Sequence, residues 1–491
     1  MPIRFLIRLL AVATTICVTV SARAVAQEPG QPLTLQQAIA LGQRQGYQAR
    51  SAENVRTSAR ERNSAFHAGY LPSLSVSGTT PSYNRSITPV LQPDGSTLYI
   101  PLQQTDASLL ANITQKIPWT NSTVTVSSGI DQYKVTGPTG YTTWSSTPFV
   151  VGISQPLLRS NSQAWDLKQQ DLSLESSERR YLETREDVAI NVTNAFFDYY
   201  IAGLNLKNSE ANLGINDTLY TLNKGRLEIG KIGENDLLQS QLALLRSQQS
   251  REDASLAYHR AKAAFQLAVN LPTSSAAAIT MSADVPAFEA DTAAAVHWAR
   301  INSSAINDAR ASEVQGDREV SEARWNSGVG GTVTASYGFN ATGTRASEAY
   351  QNLLGAQHLS LSVQMPLWQW GAHTSGIAAA EADRASLRDN ADLNRAQVDQ
   401  TAYFAALQLT QARRSLVIAT KADTVAEQRF DVAYNRYVIG RITIDNLYIA
   451  QSEKDQALQA YTQALRSYWI SYYQLRRNTL FDFEANQPIR E

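Results

Sequence analysis

One turn occurs twice in this sequence, and the distance between its two copies constrains every fold the chain can adopt. Arg226, Ile229, Gly230, Leu237 and Gln241 recur as Arg436, Ile439, Gly440, Leu447 and Gln451, at a constant offset of 436 − 226 = 210 residues. Pro156 and Pro366 keep the same offset upstream. An ungapped register over that distance marks a duplicated unit, so any function must be built from both copies together. Each copy closes one helical pattern and opens another.

The N-terminus reads as a secretory leader. Arg4 and Arg8 precede an apolar run from Leu9 to Val20, and Ala24-Val25-Ala26 supplies the small-residue cleavage pattern. Residues 1–26 are therefore expected to be a signal peptide, with Cys17, the only cysteine, removed with it. That leaves no disulfide framework and no thiol chemistry. No later stretch has the roughly 18 uncharged apolar residues of a membrane helix, so a mature chain that crosses a membrane must do so with strands. Removing the three leader arginines leaves a balance of 40 − 44 = −4, too mild to suggest a nucleic-acid partner.

The expected organisation is a first repeat over 27–271, a connector over 272–291, a second repeat over 292–480 and a tail over 481–491. Thr34, a candidate N-cap with Gln37 three residues on, opens a helix expected to run from Leu35 to Tyr70, where Leu71-Pro72 stops it. The period then changes to two. Leu74 and Val76 alternate with Ser73, Ser75 and Ser77, and the same alternation marks Val124 to Ser127 and Phe149 to Ser154. Pro89 to Pro101 and Thr136 to Ser146 read as loops. The second repeat gives a helix from Ala293 to Trp325, then alternating strands around Val333 to Phe339 and Leu359 to Met365. Amphipathic strands with small polar faces suit a transmembrane β-barrel or a sandwich edge.

Helical patterns follow Pro156 as far as Glu228 and Gly371 as far as Val438, each about 100 Å long at 1.5 Å per residue. In the first, Leu206, Leu213, Tyr220 and Leu227 stand seven apart, as in a coiled-coil seam. The returning helix from Glu234 to Asn270 covers about half of that length, and the helix from Leu35 to Tyr70 can cover the rest. All strands then gather at one end and both glycine turns at the other.

With these elements in place, the sequence resembles the TolC-like outer-membrane efflux proteins over essentially its whole mature length. The residues that carry the likeness are Leu33 to Leu41, Leu71-Pro72 to Ser77, Ser154-Gln155-Pro156, Val363 to Trp368 and the two Ile-Gly turns. The resemblance implies an α+β membrane protein: a homotrimer whose strands share one outer-membrane β-barrel and whose helices form a long periplasmic α-barrel. It further implies a channel subunit of a tripartite efflux or type I secretion system, receiving substrates from a periplasmic adaptor and an inner-membrane pump. The residues agree on one point independently. Two strands per repeat give four per chain, and the smallest membrane barrels need about eight, so membrane strands would force oligomerisation. Asp106 to Lys134 can add a hairpin around Trp119-Thr120-Asn121, which leaves the strand count open.

The likeness also assigns residues. Gly230, Lys231, Ile232, Gly440, Arg441 and Ile442 become adaptor-docking tips, against the plainer reading of an ordinary helix hairpin. Asp236, six residues past its glycine, and Tyr437, three before the other, match a gate clasp; a solvated Asp at a helix N-terminus is the alternative. The likeness would put entrance aspartates at Asn446 and Ile449, neither of which is acidic, so the candidate entrance ring at Asp445 and Asn446 rests on the Asp445 carboxylate. Trp368 and Trp370, next to Pro366, suit either an interfacial aromatic girdle or a packed core.

Enzyme chemistry has little support. Gly225 to Lys231 imitates a phosphate loop, but Ile232 stands where Ser or Thr must hold magnesium. The five histidines are scattered without ligand spacing, so no cofactor and no metal are expected. The rival to a channel is a periplasmic coiled-coil scaffold that binds partners without conducting. The exported substrate and the identity of the partners are not legible.

Overall fold

The computed structural model describes residues 32–137, 140–273, 278–281, 285–286 and 288–490; the expected leader lies outside the described residues. The duplication is carried into the structure with little change. Helix α3 (Ser162–Glu228) and helix α7 (Ala372–Val438) each have 67 residues. Their hairpin partners, α4 (Glu234–Ala268) and α8 (Ile444–Thr479), have 35 and 36. At about 1.5 Å per residue, α3 and α7 are rods about 100 Å long.

The other half of each rod is covered by a pair of shorter helices rather than by one. Where a single helix was expected from Leu35 to Tyr70, α1 (Leu35–Gln45) ends at Gly46 and α2 (Tyr47–Ala68) begins. Gly46 has ψ 147°, outside the helical region, and a Cβ there would lie 2.4 Å from the Gly42 carbonyl oxygen. The second repeat breaks in the same way at Ser303, between α5 (Thr292–Asn302) and α6 (Ser304–Asn326). Stacking is end to end as expected: Gln45 Nε2 donates to the Val269 carbonyl and Asn270 Nδ2 to the Gln45 carbonyl, both at 3.1 Å. Asn302 Nδ2 meets the Thr479 carbonyl at 3.0 Å in the other copy. Between the repeats, Leu33 and Ile279 form a parallel bridge, Tyr468 Oη donates to the Pro286 carbonyl, and the tail forms the hairpin β7 (Phe481–Asp482) and β8 (Gln487–Pro488).

The main core lies at this mid-level, where Phe196, Phe197, Phe265 and Tyr468 are essentially fully buried. Below it, Ala202, Ser209, Asn216 and Asn223, seven apart, are buried on α3 together with Leu219, which joins a smaller apolar cluster near the tip, while Leu206, Leu213, Tyr220 and Leu227 are only half-buried. The heptad period was legible and its phase was not, because small polar residues let the helices approach while larger ones sit at the margin.

The strands form one antiparallel sheet in chain order: β1 (Ser73–Leu91), β2 (Thr97–Ile117), β3 (Ser122–Thr136), β4 (Tyr141–Leu157), β5 (Gly330–Gly343) and β6 (Leu354–Gln364). The strand count left open by the sequence is six, two more than two per repeat would give. The segment from Asp106 to Lys134 lies within β2 and β3, which are paired on both sides, so it is part of the sheet's interior. The expected loops shrink accordingly, since Pro89 belongs to β1, Pro101 to β2, and Tyr141 to Ser146 to β4.

Register divides the sheet into two faces. One row of directly paired residues reads Ser73, Thr114, Thr125, Gly152, Ser336 and His358. The adjacent row on the opposite face reads Leu74, Ile113, Val126, Val151, Tyr337 and Gln357, apolar on every strand but the last, where Leu359, Leu361 and Val363 follow on the same face. Leu74, Val76, Leu359, Leu361 and Val363 on the apolar face are all at least 60 % exposed. Among the described residues, no helix is long and apolar enough to cross a membrane.

Candidate functional site: the helical tip and the sheet–helix junction

Both hairpin turns have the same hydrogen-bond geometry. Gly230 N–H donates to the Leu227 carbonyl and Lys231 N–H to the Arg226 carbonyl, each at 2.8 Å. Gly440 and Arg441 repeat the pattern on Tyr437 and Arg436 at 2.9 and 2.8 Å. This is the Schellman arrangement, which requires a left-handed residue, and Gly230 and Gly440 supply it with φ of 73° and 74°. Nothing lies within 4 Å of where a Cβ would stand at either glycine. The constraint there is backbone conformation alone. The surrounding Lys231 and Arg441 are exposed, and Ile232 and Ile442 half-buried, so the tips present a small mixed surface. The segment imitating a phosphate loop is the last turn of α3 and this reversal, with no strand before it.

The two hairpins are tied together just above the turns. Tyr437, 4 % exposed on α7, donates its hydroxyl to Asn223 Oδ1 on α3 at 3.0 Å. The Arg226 guanidinium lies 5.2 Å from the centre of the same ring, a cation–π contact that further fixes it. Asp236 does not receive this bond. It lines the same cleft, half-buried in the first turn of α4, where the helix dipole favours its charge.

Asp445 is likewise engaged, for Gln239 Nε2 donates to its Oδ1 at 2.6 Å and so links α4 to α8. Asn446 turns back along its own helix, donating Nδ2 to Thr443 Oγ1 at 3.0 Å. Tyr448, beside this cluster, has a buried hydroxyl without a hydrogen-bond partner; burial pushes it up to about 12, with Tyr437 and Asp445 adding to the shift.

Higher up the α3–α8 seam, Asn208 and Asn212 donate to the two oxygens of Asp455 at 2.7 and 3.0 Å. Arg466 then meets Asp198 at 2.7 Å, and Arg477 meets Asp187 at 3.1 Å. Asp455, Arg466 and Arg477 are spaced by three helical turns, which keeps them on one face. None of Asn223, Gln239 and Asp455 was singled out from the sequence. Their counterparts 210 residues away are Ala433, Ile449 and Leu245, so the repeat itself gives no sign of them.

At the other end, Trp368 and Trp370 follow β6 and are 73 % and 88 % exposed, with ring centroids 5.1 Å apart and edge to face. Trp119, in the β2–β3 turn at the same level, is 81 % exposed. In this chain the pair is not core. Among the described residues, no cluster of His, Cys, Asp or Glu could hold a metal ion.

The chain thus combines a sheet with one apolar and one polar face, exposed tryptophans at the sheet's helix-side end, and long helical hairpins that continue from it. The sequence supports a narrower statement: residues 102–271 match the outer membrane efflux protein family, bearing out the resemblance on the segment from β2 to the end of α4. No curated protein matches the chain. Among solved structures, the outer membrane channel CmeC of Campylobacter jejuni aligns with a TM-score of 0.65 at 14 % identity, over 93 % of this chain and 87 % of that one. The outer membrane protein VceC of Vibrio cholerae gives 0.65 at 13 %, covering 93 % and 97 %. The open state of the Neisseria gonorrhoeae channel MtrE gives 0.60 at 13 %, covering 93 % and 91 %. At such identities the likeness is one of fold, and it spans nearly the whole of both chains.

Proposed function

We propose that the protein is an outer-membrane channel subunit with a large periplasmic portion. Three copies enclose one β-barrel and one helical conduit, which opens when a periplasmic adaptor and an inner-membrane pump engage the tips. The observation that carries this reading is the division of the six-stranded sheet into an exposed apolar face and a polar face. A coiled-coil scaffold has no use for such a face, and hydrocarbon covers it. The helical end has the complementary property. Its closure depends on a few hydrogen bonds, each worth about 1 kcal/mol net, a strength that a docking partner can overcome. No step in this role is a reaction, so the chain acts as a conduit rather than as an enzyme.

Asp236 belongs to the proposed gate as a carboxylate at the edge of the cleft, Tyr437 as its buried member, and Asp445 and Asn446 as its entrance. The test is single-channel conductance in a planar bilayer. The native protein should show small, brief openings, and Tyr437→Phe combined with Gln239→Ala should enlarge or prolong them. A double variant that is inserted and silent would move the assignment to the scaffold.

A further inference from the structure

We infer that the outer-membrane wall is an 18-stranded barrel in which β6 of each copy pairs antiparallel with β1 of the next. The inference rests on the channel reading above and adds the partner surface and the strand count. Among the described strands, β1 and β6 are the two edges of the sheet, each paired on one side only. An exposed edge in lipid cannot be left unpaired. The chain crosses six times, so β1 leads away from the helices and β6 returns toward them, and the two edges meet antiparallel without any rearrangement. Six strands are too few to close, whereas three copies give 18.

The register supplies a second, independent argument. The paired row that starts at Ser73, the helix-side end of β1, reaches β6 at His358, which is 364 − 358 = 6 residues short of that strand's helix-side end. A slip of six residues over five strand spacings corresponds to a strand tilt of roughly 40° if the helix-side ends are level, from about 3.3 Å per residue and 4.8 Å per strand. Membrane barrels tilt their strands by about 35–45°. The sheet therefore already has the shear of a closed wall.

Closure must also keep polar residues facing polar residues, and a slip of one residue would reverse the faces. Pairing the two helix-side ends, Gln364 with Ser73, satisfies both conditions. It sets Ser362 opposite Ser75 and Ser360 opposite Ser77. At that tilt the backbone diameter is about 35 Å, against about 23 Å for the twelve strands that four per chain would give.

The experiment is disulfide trapping in native outer membranes with the full-length protein, whose only other cysteine is Cys17 in the leader sequence. Ser75→Cys with Ser362→Cys on one chain should yield dimer and trimer bands on oxidation, at least tenfold above Val76→Cys with Ser362→Cys, whose side chains lie on opposite faces. Each single-cysteine variant must reach the outer membrane, which controls for folding. Cross-linking of Thr125→Cys to Ser362→Cys would mean that β1 and β2 leave the wall, and would overturn the 18-strand count. Native mass spectrometry of the same samples separates the two readings. Three chains without a β6–β1 link reject this seam and leave the channel standing, whereas a single chain rejects both.

Discussion

Tyr437 and Asn223 lie on long helices from different repeats, and their side chains close on each other at 3.0 Å with almost no exposure to solvent. The bond joins two neutral groups. Tyr437→Phe removes the donor and leaves the Asn223 carbonyl oxygen buried, at a cost of about 1–3 kcal/mol. Asn223→Ala should cost a similar amount, and the double variant less than the sum, giving a coupling of about 1 kcal/mol. Openings in a planar bilayer should lengthen in both single variants. Asp236→Ala, which breaks no bond to Tyr437, should change them less; an equal or larger effect of Asp236→Ala would show that the carboxylate is the main clasp.

The turns give a different prediction because their glycines are needed for conformation and not for space. Gly230→Val and Gly440→Val force a β-branched residue into the left-handed region, at about 1–3 kcal/mol of local strain. That strain is confined to an exposed tip about 100 Å from the sheet, so assembly and insertion should be unaffected while co-purification with the adaptor falls at least tenfold. Normal adaptor binding by both variants would remove the tips from the docking surface.

How much of this was visible in the sequence depended on whether a signal is local. Gly230 and Gly440 mark their turns by themselves, and the alternation around Leu74, Val126, Ile153 and Leu361 marks its strands by period. The outer halves of β1 and β2 were hidden by Pro89 and Pro101, which read as loop. Proline is tolerated at an unpaired strand edge. Pro89 lies on the edge strand β1, and Pro101 lies beyond Gln103, where the pairing of β2 with β3 ends. The break at Gly46 was hidden because helical period runs on across it. Asn223 was hidden because a buried asparagine is identified only by the tyrosine it meets, and that tyrosine is 214 residues away.

Trp368 and Trp370 yield a spectroscopic prediction. Their exposure is high in a single chain, and in the proposed channel the strand-to-helix junction would set them at the level of the polar headgroups. In a background whose other tryptophans are replaced by phenylalanine, their emission should be quenched more strongly by labels near the headgroup than by labels at the bilayer centre. Absence of quenching by either label would place the pair in contact with protein or bulk water and would raise the position of the membrane along the sheet.

The entrance can be tested through its carboxylates. Asn446 is the repeat counterpart of Asp236, since 446 − 236 = 210, and it carries no charge. Asp445 has one carboxylate oxygen bonded to Gln239. In the proposed trimer the second hairpin therefore offers a single ring of three carboxylates, each already accepting a hydrogen bond, and should bind polyvalent cations weakly. Asn446→Asp would add three charges on the adjacent residue, and like charges so close to a narrow opening raise the local concentration of cations. Block of the bilayer current by hexamminecobalt should be weak in the native protein and at least tenfold tighter in Asn446→Asp, while Asp445→Asn should abolish what remains. Strong block in the native protein that survives Asp445→Asn would place the narrowest carboxylate ring at Asp236 instead, on the first hairpin rather than the second.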